Sequence, residues 1–515
     1  MNIKTKMRSL FFVLFFLFAA SFQTAWGAET SGDLVTLQVL TVNDFHGALI
    51  ESGKNPGAAK LVSRLLSAKA KNPDGTLILS AGDMFQGTPD SNLLYGKTVV
   101  DVMNAVPFDA MAIGNHEFDW GMDILKQRIS QSRFPYLGAN LFMKASGQPP
   151  ASIKPYSIIE RKGVKIAVIG LTTPQTAYMT NMEVASQLTF ENPDKTIQRL
   201  LPELRKLKVD LFLVLGHLAS YTNPYTGEIT DEAADLVKNT DGLHGVISGH
   251  SHQKVAGYVN GIPVVQASYS GRGIGKIDFV YKRSSKEIIW ADVSVQTLPF
   301  DGLTADPKTK EIVEQAQKEI SPVKNQLLGN TLTDLFHDRE SKEVSLLGQW
   351  VTDVMRQEAQ ADIAFQNAGG LRVTIPAGAI TMGKIYEVLP FDNTLVTVNL
   401  TGAQVLKILE HGIASKKIGM VQFSGIKVQQ NALGHLHVTM ADGSLLALNK
   451  TYKVATNDFM YSGGDEFTMF KEGFDYRDTN IPLRDLLVNY IKKQQLLEVQ
   501  KDNRFLYLPP LPAAA

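Results

Sequence analysis

The sequence reads as a layered α/β domain followed by a second, smaller α/β domain. Three features carry that reading. Short apolar runs recur through residues 36–300, and most are unbroken rather than alternating, as in strands buried on both faces. Helix-like stretches lie between them. After a charged, helix-favouring segment, the same mixture resumes over residues 330–510.

Residues 1–27 have the pattern of a signal peptide. Lys4, Lys6 and Arg8 precede the apolar core LFFVLFFLFAA, and Ala25 and Gly27 supply the small residues of a cleavage site. No later stretch reaches the roughly 18 apolar residues that a membrane-spanning helix needs. The expectation is an exported, periplasmic or secreted chain with no stable membrane insertion after cleavage. Next come the runs LQVLTV (37–42), TLILSA (76–81), AMAIG (110–114), KIAVIG (165–170), LFLVLG (211–216) and GVIS (245–248), with the helical stretch AAKLVSRLLSAKAK (58–71) between the first two. Residues 305–328 read as a connecting helix with a break near Pro322. In the second domain, Val344, Leu347, Val351, Val354 and Met355 follow helical spacing, and ADIAFQN (361–367), TLVTVNL (394–400) and YKVATND (452–458) read as strands. The tail LPPLPAAA reads as frayed. The expected division is 1–27, 28–304, 305–328 and 329–515.

Composition narrows the function. Lys plus Arg and Asp plus Glu balance at 51 each, so there is no global attraction to a nucleic-acid polymer or an anionic membrane. There is no cysteine, so an exported chain of this kind relies on core burial rather than disulfides.

The chemistry is concentrated at the ends of the apolar runs. Five of them run into Asn43-Asp44-Phe45-His46-Gly47, Gly82-Asp83-Met84, Gly114-Asn115-His116-Glu117-Phe118-Asp119, Gly216-His217 and Gly249-His250-Ser251-His252. Ligands bind beyond the carboxyl ends of strands in open α/β sheets, so these ends can converge, in one sheet or in two facing sheets. Two divalent cations need a carboxylate able to bridge them, with neutral imidazole and amide oxygen ligands. Asp44, His46, Asp83, Asn115, His217, His250 and His252 form such a set. Singly each is a weak signal, but five of the ten histidines fall in these motifs.

The order D-x-H, G-D, G-N-H-E, G-H, G-H-x-H resembles the calcineurin-like metallophosphoesterase superfamily. The longer motifs NDFHG and GNHEFDWG, with the second domain, resemble the 5′-nucleotidase family in particular. The resemblance implies a four-layer α/β/β/α catalytic domain plus an α/β substrate-binding domain. By position, Asp44, His46 and His252 resemble ligands of one metal, Asn115, His217 and His250 those of the other, and Asp83 the bridge. The metals would be Zn, Mn or Co. Many relatives have Gln or Asn in place of His252, which bears on metal preference. His116 and Asp119 resemble a catalytic dyad, with in-line attack by a metal-activated water.

In the second domain, Asn367-Ala368-Gly369-Gly370-Leu371-Arg372 resembles N-G-G-G-hydrophobic-R, with Arg372 on the polar part of the substrate. Phe423 and Phe459 resemble two rings that sandwich a nucleobase, and Asp465 a carboxylate that receives sugar hydroxyls. His411 and Lys416 stand where some relatives present Asn and Arg. The stretch YSGGDEF (461–467) contains the diguanylate-cyclase signature, but cyclase work needs nucleoside triphosphate inside the cell. The resemblance places Asp465 on ribose instead. The implied function is release of phosphate from nucleoside 5′-monophosphates. The alternatives are UDP-sugar or dinucleotide pyrophosphate cleavage, 2′,3′-cyclic-nucleotide cleavage, a thiosulfate-processing relative without a base, and a non-catalytic solute-binding protein.

Overall fold

The structure, a computed structural model, describes residues 32–297, 302–415 and 418–508. The expected signal peptide, Lys416 and the tail from residue 509 lie outside the described residues.

Each of the six apolar runs of the first domain is a strand. They form Leu34–Val42, Thr76–Ser80, Ala110–Ala112, Val164–Thr172, Leu211–His217 and Gly245–Ile247. They divide between two six-stranded sheets rather than one. The first three sit side by side and parallel in one sheet, and the last three do the same in the other. Val35, Leu37, Val39, Leu77 and Leu79 interlock with Ile166, Val168, Leu211, Leu213 and Ile247 between the sheets. Helices Gly57–Lys69 and Lys97–Ala105 cover the outer face of one sheet. Pro193–Lys206 and Glu232–Asn239 cover the other. The result is a four-layer α/β/β/α stack. Both inner faces are apolar, which explains why the runs lack polar alternation. Six further strands complete the two sheets and were not legible as apolar runs: Tyr136–Leu137, Tyr156–Arg161, Lys254–Val259, Ile262–Ala267, Gly273–Lys282 and Glu287–Thr297. Gly273–Lys282 alternates buried and half-buried positions beside Glu287–Thr297, an edge strand exposed or half-buried along its whole length.

The connecting helix is Pro307–Lys324. It differs from expectation in two respects: it ends at Lys324 because Leu327 already opens the strand Leu327–Thr331, and Pro322 does not break it. Pro322 sits in the last turn, where a missing N–H removes only one bond close to the helix end, and the helix runs on to Lys324. Its buried Val313 joins the first domain's apolar cluster.

The second domain is built on a five-stranded sheet ordered Gln422–Ser424, Ile363–Gln366, Thr451–Asn457, Thr394–Thr401 and Phe474–Pro482. Helices Leu346–Ala359 and Leu483–Gln494 pack on one face, and Gly402–Ala414 on the other.

Candidate active site

The strand ends converge where the two sheets of the first domain meet. Asp44, His46 and His252 bring one possible ligand atom each within 4.8 Å of one another, and Asp83, His217 and His250 do the same. Those two groups match the two expected ligand sets, with Asn115 against the second: its Oδ1 lies 3.2 Å from His217 Nε2. Asp83 Oδ2 lies 3.0 Å from His217 Nε2. His46 Nε2 and His252 Nε2 approach to 2.9 Å.

The backbone gives the convergence away. Asp44, His46, Asp83, His250 and His252 all have φ between 48° and 74°. Non-glycine residues rarely adopt this left-handed region, and such outliers gather at functional sites. Gly114 is obligatory for a different reason: a Cβ there would stand 2.7 Å from the Asp83 amide nitrogen.

Outer contacts fix each ligand. His217 Nδ1–H donates to the Ala81 carbonyl (2.7 Å), and His46 Nδ1–H to the Gln86 carbonyl (2.8 Å). Both rings thereby turn Nε2 into the site, the usual way a metal-binding imidazole is oriented. Glu117, unassigned from sequence, accepts from the backbone N–H of Asp83, Met84 and Gly114, each at 2.8 Å. It ties the Asp83 turn to the Gly114 turn. Asp44 accepts from Asn43 Nδ2 (2.6 Å) and from the His250 N–H (3.0 Å).

Burial holds His46 down to about 4 and His250 to about 3, with His217 nearby adding to the latter, and it lowers His252 too. These imidazoles are neutral, the form that donates to a metal. Burial lifts Asp44 to about 7. His217 goes the other way: burial opposes its charge, yet Asp83 overrides this and raises it to about 10. The mix of neutral imidazoles, two carboxylates and an amide oxygen fits a pair of divalent cations.

Beside the ligands, His116 Nδ1–H donates to Asp119 Oδ2 at 2.7 Å, and Thr180 Oγ1–H donates to Asp119 Oδ1 at 2.9 Å. Burial again opposes a charged His116, but Asp119 and Asp83 raise it to about 9. Thr180 lies 61 residues beyond Asp119 and carried no sequence signal.

The second domain faces this cluster. Arg372 is exposed in the cleft, near enough to His46 and His252 for its charge to help lower both. Asn367 Nδ2–H donates to Asp465 Oδ2 at 2.8 Å, and His411 Nε2–H to the Asp465 carbonyl at 2.9 Å. Arg339, which sequence reasoning missed, adds charge close to both Arg372 and Asp465. Phe459 is half-buried at the same edge.

Phe423 corrects the expected sandwich. It is 0% exposed, on a strand where it pairs with Phe365, and belongs to the domain's core. It offers no face to a base in this arrangement. Gly464 also has a packing reason: a Cβ there would stand 2.6 Å from Phe459 Cε2.

Known proteins match this architecture. Residues 37–254 match the calcineurin-like phosphoesterase family and residues 324–472 the 5′-nucleotidase C-terminal domain. The chain is 29% identical to the protein UshA of Yersinia enterocolitica, over 94% of this chain and 95% of that one. It is 28% identical to a 5′-nucleotidase of Vibrio vulnificus, over 92% and 93%. The crystal structure of a 5′-nucleotidase precursor from Thermus thermophilus superposes with a TM-score of 0.73 at 27% identity, covering 92% of this chain and 99% of that one.

Proposed function

From the premise that this chain belongs to the calcineurin-like metallophosphoesterases with a 5′-nucleotidase C-terminal domain, and so to the hydrolases, we propose that it releases phosphate from nucleoside 5′-monophosphates outside the cytoplasm. The observation that carries the reading is a juxtaposition. Two ligand clusters and the His116–Asp119 pair on one domain face Arg372 and Asp465 on the other.

Asp44, His46 and His252 would hold one divalent cation, Asn115, His217 and His250 the other, and Asp83 would serve both. Such ions supply Lewis-acid charge for the phosphoryl oxygens and a nucleophilic water at neutral pH. The identity, Zn, Mn or Co, belongs to the same proposal. His116 donates a hydrogen bond or proton to the phosphoryl or leaving oxygen, with Asp119 and Thr180 fixing its ring. Arg372 receives the phosphate end of the nucleotide, Asp465 the ribose hydroxyls, and Phe459 one face of the base. Arg339 favours a second reading, cleavage of UDP-sugar or dinucleotide pyrophosphates, since a second phosphate meets a second cationic group.

One panel decides. The protein is stripped with chelator, reloaded with Zn, Mn or Co, and assayed on AMP, UDP-glucose and 2′,3′-cyclic AMP. AMP is expected to show the highest kcat/KM. Absence of phosphate release from AMP with every metal overturns the reading, and a higher value for UDP-glucose transfers it to pyrophosphates. Export is checked by the N-terminal residue of the mature protein, expected after Gly27.

A further inference from the structure

One face of His116 is covered by the other domain. The ring of Phe391 lies over the imidazole with centroids 5.4 Å apart and planes 24° from parallel. Phe391 is only half-buried and belongs to no apolar cluster of either domain. It is therefore not explained as core. The Arg372 guanidinium stands 5.7 Å from the centroid of the same ring.

The loop carrying Phe391 is held from both sides. The Pro390 carbonyl accepts from Gln86 Nε2 and, at 2.8 Å, from Asn92 Nδ2, both buried side chains of the first domain. Arg484 of the second domain donates to the Leu389 carbonyl at 3.0 Å and pairs with Asp392. Gln86 is also the residue whose carbonyl receives His46 Nδ1–H. One short loop thus touches the supports of a ligand and of the dyad together.

An aromatic ring in this place has a specific effect. It makes no hydrogen bond that competes with Asp119 for Nδ1, and it restricts rotation of the imidazole plane while Nε2 stays on the Asp83 side, 4.0 Å from Asp83 Oδ2. We propose that Phe391 is a positioning residue that completes the His116–Asp119 pair from the second domain, so that His116 is held for reaction only while that domain is seated. This rests on the phosphohydrolase reading above. It has a consequence that reading lacks: the second domain contributes to the chemistry of every phosphoester, including one with no base to bind.

The test uses the full metal-loaded protein with AMP and with p-nitrophenyl phosphate. Misplacing a reacting group by about 1 Å costs on the order of 10²-fold. Phe391→Ala is expected to lower kcat by roughly 10- to 100-fold on both substrates by the same factor, with KM nearly unchanged and metal content retained. Phe391→Tyr, which keeps a ring, restores kcat. In a His116→Ala background, Phe391→Ala adds no further loss, because both act through one group. Unchanged kcat in Phe391→Ala, a loss confined to AMP, or a full additional loss in the His116→Ala background each overturns the proposal. If wild-type protein releases phosphate from neither ester, the function reading has failed instead.

Discussion

At the residue scale, the side chains that gather in the two clusters and the His116–Asp119 pair were legible because they lie just past the ends of apolar runs. What surrounds them was not. Thr180, Arg339 and Phe391 meet the site through residues distant along the chain, which leaves no local pattern, and Glu117, although inside the G-N-H-E motif, works through backbone amides that the sequence does not mark. Protonation was also illegible, since it depends on burial. At neutral pH His217, raised to about 10, carries a proton and Asp44, lifted to about 7, is partly protonated, so a cation on the proposed ligands would displace them, while His46 and His250 are already neutral. Metal binding therefore releases protons, and affinity weakens as pH falls through these values. Calorimetric titration of chelator-stripped protein with Zn at pH 7, in buffers of different ionisation enthalpy, should show net proton release. Heat that is independent of the buffer would contradict the assigned ligands.

At the scale of elements, the unbroken runs were readable because strands between two packed sheets are apolar on both faces. The edge strand Glu287–Thr297 was not, because its exposed positions dilute the signal. Phe423 shows the limit of motif reading: the resemblance singled out a ring but could not say whether it faced a ligand or the interior, and the structure places it on a strand and turns it into the core. In YSGGDEF the two glycines are small for different reasons. Gly463 needs its φ of 97°, whereas Gly464 is small because the Phe459 ring lies against it. Gly464→Val should push that ring from its place. Stacking a base on an aromatic ring is worth about 1–3 kcal/mol, so KM for AMP should rise roughly 5- to 150-fold. Hydrolysis of p-nitrophenyl phosphate should change little, the opposite of Phe391→Ala, which lowers both. An unchanged ratio of kcat/KM for the two esters in Gly464→Val would mean that Phe459 is not a base platform.

At the scale of the whole molecule, the proposed cleft is closed by its own walls. Phe391 covers His116, Pro390 is tied to Gln86 and Asn92, and Arg372, beside the Phe391 ring, lies close enough to His46 and His252 for its charge to act on both. A nucleotide bound as proposed, with its base on the second domain and its phosphate at the ligand clusters, would have to enter between them, so these contacts are expected to open and re-form in each turnover. The connecting helix Pro307–Lys324 is suited to remain with the first domain, through Val313 in that domain's apolar cluster and Lys324 Nζ on Asp90 Oδ2 at 2.7 Å. Motion then falls on the junction after it. The chain has no cysteine, so an introduced pair reacts alone. Tyr178 of the first domain and Glu466 of the second are close enough for the carboxylate to raise the phenol's pKa. Cysteines at these two positions, joined by a short cleavable cross-linker, should abolish turnover of AMP, and cleaving the linker should return it to the level of the unlinked double variant. Full kcat in protein verified as cross-linked would mean that substrate reaches the metals through a rigid cleft, and that Phe391 stays over His116 throughout the cycle.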